Sequence, residues 1–176
     1  MAQKGRNFER AIQNKILRPL RLKAVLKVIK MLPAGAILDV GCMDDYLLKM
    51  LDRKFDYLGI DEEPLSDSER IKKLRIEDIG KKKKYDIVIA TEVLEHLENP
   101  VDAIKKFKKL SKKYILISVP NEPFFSLFRF FIPAREHLWT IYPQTLKKHL
   151  GEPIYETRAC FRRTYIALWD LGPKNE

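Results

Sequence analysis

One glycine and several acidic side chains stand where a cofactor could bind. The stretch "ILDVGCMDDYL", residues 37–47, reads as a buried strand, a turn at Gly41 and the start of a helix. Such a turn lets a ligand approach the backbone, and the helix after it offers free N–H groups to an anion. Asp61 stands 20 residues beyond Gly41, the spacing at which a carboxylate takes the ribose hydroxyls of an adenosine-type cofactor. The pattern predicts a nucleotide-like cofactor site.

A second polar group follows the apolar run "YDIVIATEV". On a helical turn, Glu92, Glu95 and His96 would share one face, since they are spaced i, i+3 and i+4. Two carboxylates and an imidazole can hold a divalent metal, and His137 further along the chain could complete the set. Oxygen ligands of this kind suit Mg²⁺ or Mn²⁺. This metal site is an alternative, and the favoured prediction has no metal.

Alternating strand and helix patterns would position these residues. The predicted strands are 36–42, 56–62, 71–79, 85–93 and 114–120, and the predicted helices are 44–54, one that starts at Asn99, and 143–151. Two further β-rich stretches, 153–162 and 164–172, lie too close together for a helical crossover and predict an antiparallel hairpin. The expected fold is α/β, a single doubly wound, mostly parallel, seven-stranded Rossmann-like sheet with this hairpin at its C-terminal end.

The first 34 residues carry a helical pattern. Leu22, Val25, Leu26 and Ile29 recur at i, i+3, i+4 and i+7, which is typical of an amphipathic helix. We therefore expect a single domain over 1–176, with an N-terminal helical cap at 1–34 and an α/β core at 35–176.

Composition narrows the class of protein. A chain of 176 residues, 45% hydrophobic and 33% charged, suits one globular domain. It has no run of about 18 apolar residues, the N-terminal stretch does not resemble a signal peptide, and two cysteines make no disulfide framework. A cytoplasmic location is expected. The formal net charge of +10 fits either an anionic partner, such as nucleic acid or a membrane surface, or a lysine-rich exposed surface.

Four motifs in order resemble a known family. "ILDVGC", "YLGID", "YDIVIATEVLEHLENP" and "ILISVPNEP" look like successive motifs of class I S-adenosylmethionine-dependent methyltransferases. The nearest branch includes the ubiquinone-biosynthesis enzymes. The resemblance covers roughly residues 36–150, and it implies a methyltransferase fold, S-adenosylmethionine as cofactor, and methyl transfer as the activity.

The resemblance also implies roles for individual residues. Gly41 and Cys42 would lie against the methionine part of the cofactor, in a turn that Asp39 orients. Glu77 or Asp78 would lie near the adenine amino group, and His96 would be the catalytic base if the acceptor must lose a proton. The full cofactor-binding set implied is Asp39, Gly41, Cys42, Met43, Asp61, Glu62, Asp78, Thr91 and Glu92. Each carboxylate also has a structural explanation as a helix cap or turn former.

Two positions depart from the family pattern. The glycine-rich loop typically has glycine where this chain has Met43 and Asp45. Aspartate tolerates left-handed backbone geometry better than most residues, so Asp45 is the milder change. The Met43 side chain would either block the methionine tail of the cofactor or reshape its pocket. We expect cofactor binding to survive, and the alternative is a catalytically inactive binding or interaction module.

The sequence predicts the identity of the methyl acceptor less clearly than that of the cofactor. "PFFSLFRFFIP", residues 123–133, carries five phenylalanines. One explanation is a helical cap that buries these rings, and the functional alternative is an apolar lid over a small or lipid-like acceptor, or a peripheral membrane contact. Arg129 and Arg135 could hold an anionic group of the acceptor. The alternative acceptor is an RNA ribose, because the possible metal ligands also resemble those of the small-RNA 2′-O-methyltransferases. No feature of the sequence predicts an oligomeric state.

Overall fold

The structure is a computed structural model that describes residues 16–80, 84–121 and 138–172. These residues form one seven-stranded sheet with helices on both faces. The strands are β1 (Gly35–Val40), β2 (Phe55–Asp61), β3 (Ile71–Lys73), β4 (Tyr85–Thr91), β5 (Ser111–Pro120), β6 (Tyr155–Ala159) and β7 (Thr164–Asp170). The α-helices are α1 (Arg18–Lys30), α2 (Tyr46–Met50), α3 (Pro100–Leu110) and α4 (Pro143–Leu150).

The strand order confirms the predicted fold class. The sheet runs β3-β2-β1-β4-β5-β7-β6, with β1 to β5 parallel and β7 antiparallel to both β5 and β6. The chain therefore reverses its direction of travel across the sheet between β1 and β4. In open α/β sheets the connections diverge at this point and leave a crevice outside the carboxyl ends of the strands.

Each face of the sheet is covered by its own helices. On one face α1 buries Val25 and Ile29 in the same apolar cluster as Ile37 and Ile89 of the sheet. On the other face α3 buries Phe107 in a second cluster with sheet residues. The strands next to the switch point are buried on both sides, which explains their nearly continuous apolar sequences.

The start of α3 follows the predicted signals. The Asn99 side chain accepts a hydrogen bond from the backbone N–H of Asp102 at 3.1 Å, and Pro100 occupies the first helical position, where its missing N–H leaves no bond unmade.

Several elements are shorter than predicted. The strand expected at 71–79 ends at Lys73 and gives way to a 3₁₀ turn at Ile76–Asp78. The helix expected at 44–54 is confined to α2. The Asp44 carboxylate accepts from the backbone N–H of Tyr46 at 2.9 Å just before its start, and the extended backbone of Leu51 ends it. The strand expected at 85–93 ends at Thr91, since the next residue has a φ of 55°.

The chain has no membrane-spanning helix among the residues that the structure describes. Of the lysine run at 81–84, only Lys84 is described, immediately before β4. It therefore stands at the amino end of that strand, away from the crevice.

Candidate cofactor and acceptor site

The turn after β1 is closed onto the neighbouring strand. Gly41 has a φ of 67°, and an added Cβ there would overlap Cγ2 of Val93. The backbone N–H groups of Gly41 and Cys42 both donate to the carbonyl oxygen of Ile60, at 2.8 and 3.1 Å. The carbonyl of Ile60 therefore holds the two N–H groups of this turn, and the turn accepts only glycine at position 41.

Met43 has a left-handed backbone conformation, which glycine adopts more readily than any other residue. Its φ of 63° is left-handed, which disfavours residues with a side chain by roughly 1–2 kcal/mol. Its backbone N–H donates to Oδ2 of Asp61 at 2.9 Å, and its carbonyl accepts from Leu65 at 2.7 Å. Two hydrogen bonds therefore oppose the strain. Asp45, at φ −90° and ψ 15°, needs no glycine at all.

Asp61 stands at the end of β2, where the spacing placed it. Oδ2 accepts from Met43 and Oδ1 accepts from the backbone N–H of Glu63 at 2.9 Å. Each carboxylate oxygen has a second lone pair, so both remain able to accept hydrogen bonds from a diol. Glu62 is exposed, and its carboxylate lies 3.5 Å from Nε of Arg75.

Asp39 is enclosed beneath the turn. Oδ2 accepts a 2.7 Å hydrogen bond from the hydroxyl of Tyr57, and Oδ1 is buried with no hydrogen-bond partner among the described residues. Burial raises the pKa of Asp39 to about 7, against the lowering effect of the Tyr57 hydrogen bond. The same burial raises the pKa of the Cys42 thiol well above its ordinary range, so Cys42 is an inert, protonated thiol at neutral pH.

Two arginines of α1 that were not among the predicted site residues contact the candidate site. Arg18 donates to both carboxylate oxygens of Asp44, at 3.0 and 2.7 Å, and to the carbonyl of Cys42 at 3.3 Å. Arg21 lies 3.6 Å from the Glu92 carboxylate. The signal that could have revealed Arg18 is its position four residues before Leu22, in line with the apolar stripe of α1.

The end of β4 turns sharply into the crevice. Thr91 is buried, and Glu92 has a φ of 55° with its backbone N–H bonded to the Ser118 carbonyl at 2.9 Å. Glu92 is therefore held between β4 and β5, beside Arg21 of α1. Thr91 and Glu92, two of the predicted cofactor contacts, therefore lie at the same edge of the sheet as Asp61 and the turn after β1.

The proposed metal ligands do not share one helical face. Glu92 precedes the 3₁₀ turn Leu94–His96 in a left-handed conformation. Within that turn Glu95 is buried and His96 is exposed, so their side chains face the core and the solvent respectively. His137 lies outside the described residues. Across 16–80, 84–121 and 138–172, no group of three or more His, Cys, Asp or Glu side chains is arranged to hold a metal ion.

The predicted adenine-side acids follow β3. Glu77 and Asp78 are exposed in the 3₁₀ turn after that strand. The Glu77 carboxylate lies 3.5 Å from Nε of Arg75. Both acids therefore stand beyond the carboxyl end of β3, at the same edge of the sheet as Asp61.

Comparison with known proteins gives structural relatives at low sequence identity. The magnesium protoporphyrin IX methyltransferase ChlM of Synechocystis PCC 6803, solved with S-adenosylhomocysteine, aligns with a TM-score of 0.73 and 16% identity over 96% of this chain and 94% of that chain. The 1,6-didemethyltoxoflavin-N1-methyltransferase of Burkholderia thailandensis aligns with a TM-score of 0.68 and 13% identity over 93% and 85%. The small RNA methyltransferase HEN1 aligns with a TM-score of 0.70 and 17% identity, over 91% of this chain and 26% of that chain.

A sequence search of the curated proteins finds no match.

Family membership rests on a match to a family model as well as on the fold. Residues 8–158, most of the chain, match the family described as Methyltransferase domain. The chain therefore belongs to the methyltransferase domain family and is a class I S-adenosylmethionine-dependent methyltransferase.

Proposed function

We propose that this protein transfers the methyl group of S-adenosylmethionine to a small or lipid-like acceptor at the crevice between β1 and β4. The observation that carries the proposal is the linkage of Asp61 to the turn after β1 through the Met43 N–H, at 2.9 Å. It sets a carboxylate and a left-handed turn side by side at the switch point, where cofactors bind in this class of fold.

The polar groups of the crevice fit the cofactor. Asp61 would accept hydrogen bonds from the ribose hydroxyls with the lone pairs that its two backbone contacts leave. The cofactor's ammonium group is a cation, and Oδ1 of Asp39 is a buried oxygen without a partner among the described residues. Because this oxygen is enclosed beneath the turn, the ammonium group would stabilise the charged Asp39 carboxylate through space and not by direct contact. Glu62, Asp78, Cys42 and Thr91 stay predicted as further contacts.

Methyl transfer asks little acid–base chemistry of the protein. The cofactor supplies an electrophilic methyl group on a sulfonium, so the work of the chain is to orient the acceptor in line and exclude water. Thr91 and Glu92, at the end of β4, are the described residues that we propose line this position. His96 is exposed and would accept a proton only for an acceptor that must lose one.

The acceptor that we favour is apolar. The phenylalanine-rich segment 123–133 lies outside the described residues, and its role as a lid is a prediction from sequence, as is the anion contact of Arg129 and Arg135. Leu138 and Trp139, which follow it, are exposed, and their N–H groups donate to the carbonyl of Glu95 at the end of the crevice. The exposed apolar side chains of Leu138 and Trp139 support an apolar acceptor.

Two finer assignments belong to this proposal. The motif "YDIVIATEVLEHLENP" supports a place in the branch that includes the ubiquinone-biosynthesis enzymes, and a cytoplasmic location is proposed with it. The RNA ribose alternative is not favoured, because the acids and the histidine after β4 do not form the single helical face that its metal would need.

Calorimetric titration with S-adenosylhomocysteine tests the proposal. We expect wild-type protein to bind, and Asp61→Ala to bind at least tenfold more weakly. The matched control is Asp56→Ala, which removes an exposed acid of the same strand whose ion pair within the described part of the chain is with Arg70; it should bind as wild type does. Wild-type protein that binds neither cofactor nor product would contradict the proposal and favour the inactive module.

A further inference from the structure

The turn between β6 and β7 holds three successive residues in a left-handed conformation. Cys160, Phe161 and Arg162 have φ angles of 52°, 56° and 67°. None is a glycine, and each such residue is disfavoured by roughly 1–2 kcal/mol. Strain of this kind persists where the surrounding structure enforces it, and it clusters at functional positions. The turn displays Phe161 with 86% of its surface exposed, so the strain is not offset by burial of the aromatic ring.

Contacts from other elements hold this turn at the carboxyl edge of the sheet. Thr164, the first residue of β7, pairs with Pro120, the last residue of β5. The Asn121 side-chain amide donates to the Arg162 carbonyl at 2.7 Å, and the Asn121 backbone N–H donates to the Arg163 carbonyl at 2.8 Å. Phe161 is therefore presented to solvent by a fixed turn on the same edge as the crevice.

The beginning of α1 lies against the same turn. The Cys160 thiol donates to the carbonyl of Leu17 at 3.3 Å. Ile16 and Leu20, on either side of Leu17, are exposed by 52% and 41%. Ile16 lies just before α1 and Leu20 lies in its first turn, so both exposed side chains flank the Leu17 carbonyl that the Cys160 thiol contacts. We call Ile16, Leu20 and Phe161 the apolar tip.

The two segments that carry the apolar tip are rich in positive charge. Residues 16–30 and 157–169 contain no Asp or Glu, and together they contain eight Lys and Arg residues, five in the first segment and three in the second. Arg18 and Arg21 point into the crevice, where they pair with Asp44 and Glu92. The exposed cations that adjoin the apolar tip in sequence are Lys23, Lys27, Arg158, Arg162 and Arg163.

We propose that the apolar tip docks on an anionic lipid bilayer. Apolar side chains that protrude among cations match the two layers of such a surface, because the apolar groups enter the acyl boundary while the cations meet the phosphates. A nucleic acid would satisfy the cations and leave the three apolar side chains in water. Docking turns the carboxyl edge of the sheet toward the lipid. The inference goes beyond the proposed function, since lipid binding does not require the cofactor.

Cosedimentation of the full chain with vesicles tests this inference. We expect binding to vesicles of phosphatidylcholine mixed with an equal amount of phosphatidylglycerol, little binding to phosphatidylcholine alone, and weaker binding at higher salt. Phe161→Asn should bind the mixed vesicles about tenfold more weakly. Asparagine tolerates the left-handed conformation well, so the melting temperature should not fall.

The matched control is Ile154→Asn. Ile154 is 60% exposed and precedes β6, and Tyr155 beside it pairs with Leu168, toward the opposite edge of the sheet from the apolar tip. This variant should bind vesicles as wild type does. A second variant, Arg162→Glu, should weaken binding to the mixed vesicles and reduce its dependence on salt.

Three results would overturn the inference. They are absence of wild-type binding to the anionic vesicles, wild-type-like binding by Phe161→Asn, and an equal loss in Ile154→Asn. Product binding measured in the same preparations keeps the two proposals apart, because failure of vesicle binding leaves the cofactor site intact.

Discussion

Met43 and Asp45 both replace glycines of the family pattern, and their backbones give the two replacements different consequences. Met43 has a φ of 63° and is strained, whereas Asp45 has a φ of −90° and is not. The Asp45 side chain also pairs with Lys49 at 2.9 Å. Of the two positions, only Met43 has a backbone conformation that favours glycine, so the prediction about cofactor access concerns the Met43 side chain.

Met43→Gly tests that side chain. Relief of the left-handed strain and the higher entropy of unfolded glycine oppose each other, so the free energy of unfolding should change by less than about 1 kcal/mol. The wider cradle should bind S-adenosylhomocysteine several-fold more tightly by calorimetry. Asp45→Gly is the control: it relieves no strain and should lower stability by about 1 kcal/mol. Weaker binding by Met43→Gly would show that the methionine contributes a cofactor contact.

Asp39 makes stability depend on pH. Its pKa is raised by burial from 3.8 to about 7 in the folded protein, so its contribution to stability is fully present below pH 4 and is lost as pH rises through 7. Asp39→Asn keeps an acceptor for the Tyr57 hydroxyl and carries no charge. Relative to wild type, its free energy of unfolding should therefore increase between pH 4 and pH 8, by an amount on the order of 4 kcal/mol. Denaturant titrations at several pH values measure this difference, and a constant difference would contradict it.

At the scale of elements, α1 is attached to the crevice by charge as well as by its apolar face. Arg18 is only 13% exposed and binds Asp44 through two hydrogen bonds. It also binds the carbonyl of Cys42, so one guanidinium links the helix to the turn that would hold the cofactor. The N-terminal helix therefore contributes to the candidate site and is more than the cap expected at 1–34.

Arg18→Ala should destabilise the fold and weaken product binding together. It leaves the partly buried Asp44 carboxylate without its bidentate partner, which we expect to lower the free energy of unfolding by about 1–3 kcal/mol. Arg75→Ala is the control, because Arg75 is exposed and pairs with Glu62 and Glu77 at 3.5 Å; its effect should stay below about 0.5 kcal/mol. Equal losses in the two variants, measured by urea denaturation, would argue against the special role of Arg18.

At the scale of the whole molecule, the turns that follow β1 and β4 pack against each other at Gly41. Its missing side chain leaves room for Val93, which follows β4. The turn after β1 and the turn after β4 thus pack directly against each other. A side chain at position 41 would disturb both, and with them the entire crevice.

Gly41→Ala should be destabilising by about 2–3 kcal/mol, since it combines left-handed strain with the overlap on Val93. Product binding should be lost. Gly80→Ala is the control, because an added Cβ there would meet no atom within 4 Å and φ is not positive; stability should be unchanged or slightly higher. Gly41→Ala with Val93→Ala removes the overlap and keeps the strain, so stability should recover in part. Full stability of Gly41→Ala in thermal unfolding would be inconsistent with this packing.

Local sequence was sufficient for the order of the strands and α-helices, although it did not predict the 3₁₀ turn after β3. The apolar runs of β1, β4 and β5 are long and uninterrupted because these strands are buried on both faces, and the short link between β6 and β7 permits only a hairpin. The position of Asp61 at the end of β2 was also predictable, since its distance from Gly41 follows from the length of one strand–helix–strand unit.

Contacts between distant segments determine the geometry of the candidate site. The bond from Met43 to Asp61, the pairing of Arg18 with Asp44 and of Arg21 with Glu92, and the left-handed turn beside Leu17 each join residues far apart in the chain. Local propensity disfavours a left-handed methionine or phenylalanine, and it favours a helical turn for "EVLEH". Hydrogen bonds and packing from other strands outweigh these small preferences, because each is worth only about 1–2 kcal/mol. Motifs in the chain thus name the family, whereas the shape of the cradle and the presence of α1 in the site depend on the folded sheet.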